Sequence, residues 1–151
     1  MKKFLFIIVV AAALLVGYEK TYGLRKFTAS PAHQSSRAQA GSADVLQAAF
    51  NTQSSGVPVQ GEGQVTKLLA DDNQGSRHQR FLLTLPSGQT LLVAHNIDLA
   101  PKITSLKSGD TVAFNGVYEW NAKGGVVHWT HRAPAGRHAA GWLKHAGQTY
   151  Q

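Results

Sequence analysis

The stretch SGDTVAFNGVYEWNAKGGVVHWT, residues 108–130, decides the fold. Val112, Phe114, Gly116 and Tyr118 recur at every second position, the period of a strand with one buried face. Ser108-Gly109-Asp110 reverses the chain before that strand, and Asn121-Ala122-Lys123-Gly124-Gly125 reads as the hairpin loop leading into Val126–Thr130. Two consecutive antiparallel strands are expected here.

Working outward, the same punctuation recurs upstream. Gln60 to Leu69 reads as a strand that Gly61 and Gly63 allow to bend strongly, and Asp71 to Ser76 is a turn by composition. His78 to Leu85 and Thr90 to His95 form a second hairpin around Pro86-Ser87-Gly88. Between Asn96 and Lys107 the alternation stops; Ile97, Leu99, Ile103 and Leu106 around Pro101 suit a short helix, turn or compact loop. Three strands, a connector and two strands is the order of a small five-stranded oligonucleotide/oligosaccharide-binding barrel, so the fold class is mainly β. Arg132 to Gln151 is expected to wrap this barrel as a loop and a small hairpin, with Trp142, Leu143 and Tyr150 as apolar plugs.

The N-terminus follows different rules. Lys2-Lys3 precedes an uncharged apolar run from Phe4 to Tyr18, the pattern of a secretory signal or a short membrane anchor. A spanning helix needs about 20 residues, and Lys20, Arg25 and Lys26 are placed to snorkel. No small-x-small cleavage site follows Gly17 closely, so both an uncleaved anchor and a cleaved signal stay open. The division expected is a signal or anchor over 1–20, a Ser/Ala/Gln/Gly-rich tether over 21–58 and a β domain over 59–151. A short helix over 43–50 is expected within the tether, because Val45, Leu46, Ala49 and Phe50 fall at helical spacing. Either N-terminal reading places the domain in the cell envelope: held at the inner membrane facing the periplasm, or secreted.

Composition removes several classes of function. The chain has no cysteine, so neither disulfides nor thiolate metal sites can form. Its net charge of +7 suggests a polyanion partner until it is divided. Residues 1–56 hold six Lys/Arg and two Asp/Glu, or +4, whereas residues 57–151 hold nine and six, or +3. Much of the basic excess flanks the apolar segment.

The strings GSRHQRF (75–81), AHNIDLAP (94–101), GVYEWN (116–121), GGVVHWTH (124–131) and GRHAAGWLKHAGQTYQ (136–151) resemble a family of small bacterial proteins known only as a domain of unknown function. The resemblance spans roughly Gly61 to Gln151. It implies one structural unit that includes the tail, and it implies no activity.

Histidine carries most of the chemical signal. Of seven, His78, His95, His128, His131, His138 and His145 lie in the domain, the last four within 18 residues. His95, His131 and His138 are candidate ligands for zinc or another divalent metal, although their spacing matches no strong ligand signature. His95, Asp98, His131 and His138 are the candidates for acid/base chemistry. Hydrogen bonding to backbone at strand ends, with Asp98 capping a turn, accounts for the same residues without function. Arg77, His78, Arg80, Tyr118, Trp120, His128, Trp129, Arg132 and Arg137 combine cations with aromatic faces, as a groove for nucleic acid or glycan requires. Two functions follow: an envelope-tethered module binding a polyanion or glycan, or a histidine-dependent hydrolase of phosphodiester type, with or without a metal. No nucleophile motif or paired-carboxylate site supports the second.

Overall fold

Alternating burial is what turns these segments into a barrel. The computed structural model describes residues 43–133, 136 and 138–151. The expected apolar segment over 1–20, the tether as far as residue 42, and Arg137 lie outside them. The described residues form a helix, α1 (43–51), followed by strands β1 (Val57–Leu68), β2 (His78–Thr84), β3 (Thr90–Asn96), β4 (Thr111–Glu119), β5 (Val126–His128), β6 (Trp142–His145) and β7 (Gln148–Tyr150). No helix among them is long and apolar enough to cross a membrane.

Strands β1, β2, β3, β5 and β4 pair in that order, and β4 returns to β1, closing a five-stranded barrel. The β3–β5 pairing is parallel, and the others in the barrel are antiparallel. This is the oligonucleotide/oligosaccharide-binding arrangement expected from the strand order. Closure depends on β1, which pairs with β4 from Val57 to Gln64 and with β2 from Gln64 to Leu68. Its register slips between Val65 and Lys67, a bulge that bends the strand from one partner to the next. Gly61 lets the ring of Phe114 approach; a Cβ there would sit 2.8 Å from Phe114 Cζ.

Phe81, Leu83, Leu91, Val93, Val112, Phe114, Tyr118 and Val127 point inward from the barrel strands and are fully buried. Each such side chain contributes roughly 1.5–3 kcal/mol through removal of apolar surface from water. Leu46 and Ala49, three residues apart on α1, join the same core. The β3–β4 connector contains turns and no helix, one of the alternatives expected for it, and buries Ala100, Ile103 and Leu106.

One departure from a plain barrel matters for function. On the edge of β4 away from β1, β5 and β6 lie end to end: Val117 pairs with His128, and Asn115 pairs with Trp142. One residue of β4, Gly116, is thus faced by thirteen on the other chain, residues 129–141, which leaves the sheet after His128 and rejoins it at Trp142. The tail then completes the expected hairpin, β6–β7, burying Leu143 and Tyr150. The exit and return are crowded: a Cβ on Gly116 would collide with the carbonyl oxygen of His128, and one on Gly141 with those of Trp129 and Asn115.

Alanine normally stabilises a strand interior relative to glycine by about 0.5–1 kcal/mol. Here the sign is expected to reverse. Gly116→Ala and Gly141→Ala should each lower the unfolding free energy by about 1–3 kcal/mol in urea titrations, because the obstructing atoms are backbone.

Candidate functional site

The β2–β3 register sets His78 opposite Asn96, and β3 runs parallel to β5, so the start of β2 and the ends of β3 and β5 gather at one end of the barrel. Two polar residues occupy core positions there. Gln79 is buried opposite His95, and its side chain donates to Ile103 O and accepts from Ile103 N, both at 2.9 Å. His95 is completely buried. Its Nε2 lies 3.2 Å from Pro101 O, a group that can only accept, so Nε2 carries the hydrogen and Nδ1 accepts from the Thr130 hydroxyl at 2.8 Å. Both ring nitrogens are thereby engaged.

Beyond Thr130 the excursion carries an array of rings. Trp129 stacks on His138, with centroids 4.6 Å apart and planes 24° apart, and His128 lies 5.1 Å from Trp129 on its other side in sequence. His138 in turn meets His131 edge-on at 5.2 Å. His131 and His138 each donate Nδ1–H to the carbonyl of the following residue, Arg132 O at 2.6 Å and Ala139 O at 2.8 Å. That fixes both tautomers and leaves Nε2 of each as an acceptor. Trp129 is 42% exposed and has φ of +53°. A non-glycine residue held in the left-handed region is costly, and such strain persists where surrounding structure over-determines it.

Charges around this end are largely paired. Asp98 receives both the backbone N–H and the Nε–H of Arg77 at 2.7 Å, and these bonds hold its carboxyl below the usual carboxylate range. Arg80 donates Nε–H to Ala70 O at 3.1 Å and lies 3.8 Å from Asp72. Lys102 pairs with Asp71. Arg132 is exposed and has no ion pair among the described residues. Burial pushes His95 down to about 4 and lowers His128 as well, against the opposing pull of Glu119 Oε1 at 3.4 Å from His128 Nε2.

These placements revise several sequence expectations. Tyr118 is buried in the barrel, donating its hydroxyl to Gly124 O at 3.2 Å, and burial raises its pKa. Trp120 packs against the core and donates its backbone N–H to Ser55 Oγ at 2.9 Å. Neither presents a binding face at the His95 end, because even spacing along β4 turns Tyr118 inward. His145 is a structural partner of Asp110, at 2.8 Å, tying β6 to the turn before β4. The proposed metal triad is not assembled: His131 and His138 meet, but both nitrogens of His95 are committed, and no group of three or more His, Asp or Glu among the described residues is arranged to hold a metal. The hydrolytic reading gains no support from this geometry, since His95 is sealed in the core and Asp98 is bound to Arg77. Sequence reading missed Gln79 and Thr130; the sole signal was their polar character at inward positions.

His95 also predicts a pH dependence. The unfolded chain, with the ring near 6.5, binds the proton that the folded state refuses until about pH 4. Stability is therefore fully present above pH 6.5 and is lost as pH falls toward 4, by on the order of 2–3 kcal/mol. Urea titrations of wild type and His95→Gln should converge as pH drops from 7.5 to 4.5; parallel curves would contradict this account.

No curated protein matches the chain. Residues 29–151 match the family model described as protein of unknown function (DUF3465), a span that covers the barrel, the excursion and the terminal hairpin, and the chain belongs to that family.

Proposed function

We propose that this domain is a binding module of the cell envelope, taking a chain-like ligand, polyanion or glycan, against the exposed face of Trp129. A barrel of this class hosts many functions, so the fold itself carries little of the weight. The observation that carries the reading is the ring array on the excursion: a half-exposed indole, backed by His138, held out by strained backbone. An aromatic platform of this kind offers about 1–3 kcal/mol per stacked ring.

The excursion is also where the chain departs from the economy of a five-stranded barrel. A direct continuation of β5 into β6 would satisfy β4 without it. Loops that project from a rigid scaffold are the usual carriers of binding residues. Placement in the envelope rests on Lys2-Lys3 and the apolar run from Phe4 to Tyr18.

Trp129→Ala should weaken ligand binding by about tenfold or more, by titration against single-stranded oligonucleotide and oligosaccharide probes. Trp129→Gly should lose binding equally but be more stable than the alanine variant by about 1 kcal/mol, since glycine tolerates the positive φ. Equal stability of the two, with binding unchanged, would remove the indole from the site. A fusion of the full chain to alkaline phosphatase, which requires an oxidising compartment, should be active in a bacterial host. An inactive fusion would contradict placement outside the cytoplasm.

A further inference from the structure

The charge pattern around Trp129 narrows the ligand class. A single-stranded nucleic acid is held by unpaired cations that follow its phosphates, together with stacking platforms. Among the described residues at this end of the barrel, three cations are already spent on carboxylates: Arg77 on Asp98, Arg80 on Asp72 and Lys102 on Asp71. A phosphate approaching any of them would meet an aspartate as well. We propose that the ligand at Trp129 is a carbohydrate chain, with one sugar ring lying on the indole and Arg132 reaching a hydroxyl or carboxylate of the neighbouring sugar.

This rests on the binding reading above and specifies its ligand. A pyranose presents a face of C–H groups that packs on an aromatic surface, whose negative π-face favours the polarised hydrogens. Its hydroxyls need neutral donors and acceptors. The imidazoles supply acceptors, because His78 and His138 each have Nδ1 beside a backbone carbonyl, at 2.7 and 2.8 Å, and so keep Nε2 as the lone-pair nitrogen. Arg132, the excursion's exposed cation without an ion pair among the described residues, adds one charge-assisted bond. Arg132 suits either a neutral sugar or a uronate; the shared chemistry is the ring face.

The test uses the full-length chain in a detergent without a sugar headgroup. It is titrated against an immobilised panel of neutral oligosaccharides, uronate oligosaccharides and peptidoglycan fragments, and against a twelve-residue oligothymidylate. At least one saccharide is expected to bind, weakened tenfold or more in Trp129→Ala, with a log–log salt slope no steeper than about −1. Arg132→Gln should abolish any preference for uronate over neutral sugar, weakening uronate binding more than neutral binding. Trp129→Gly provides a second indole-free variant should the alanine variant fold poorly. Oligothymidylate bound more tightly than every saccharide, with a slope of about −3 as four phosphate contacts would give, overturns the carbohydrate assignment while the stacking module stands. No binding to any member of the saccharide panel overturns it too; if oligothymidylate also fails to bind, the binding module falls with it.

Discussion

The backbone crossing at Gly116 and Gly141 is the constraint on which the functional end of this molecule depends. Strand β4 has an edge longer than β5 can cover, and the chain covers the remainder only after a detour. At the point of exit the His128 carbonyl lies where a side chain on residue 116 would be, and at the point of return Gly141 lies against Trp129 and Asn115 backbone. Glycine in a strand usually weakens it; here Gly116 within β4 and Gly141 just before β6 permit a departure and a return within one strand's width. Everything that projects from the barrel at that end hangs from this crossing.

A second constraint joins the crossing to the core. His95 and Gln79 occupy positions that strand alternation assigns to apolar side chains, and a buried polar group is tolerable only when its hydrogen bonds are made. Gln79 mimics a strand partner for Ile103, while His95 links Pro101 on the connector to Thr130 at the root of the excursion. A helix between β3 and β4 would satisfy its own backbone; the turns found there take three of their bonds from core side chains instead. The connector and the excursion are consequently anchored to the same buried pair. Acid weakens that anchor because an imidazolium cannot accept from Thr130.

The proposed binding face inherits its character from these anchors. Placing Trp129 in the left-handed region turns its indole toward solvent and onto His138, nine residues later, rather than along the direction of β5. Pairing of Arg77, Arg80 and Lys102 with aspartates steadies the loops around β2 and the connector, yet removes the field that would draw a polyanion. Among the described residues the surface left is rich in rings, with Arg132 as an unpaired cation. That combination favours recognition by shape and stacking over recognition by electrostatics.

Much of the fold was legible in the sequence because its signals are local. Even spacing of Val112, Phe114 and Tyr118, Pro86-Ser87-Gly88 between two apolar runs, and glycines early in β1 each report on a few neighbouring residues, and period-two alternation leaves little choice of face. The site was legible only as composition: histidines, arginines and tryptophans clustered in the right region. Which of them converge depends on pairings between residues far apart in the chain, such as His95 with Thr130 or Arg77 with Asp98, and on one positive φ angle at Trp129. The sequence by itself determined a small five-stranded barrel and its histidine enrichment. Tertiary structure alone decided that His95 is core, that Trp129 and His138 form the stack, and that Arg77, Arg80 and Lys102 are paired with aspartates, because alternation sets a side chain's face whereas only the closed barrel sets its neighbours.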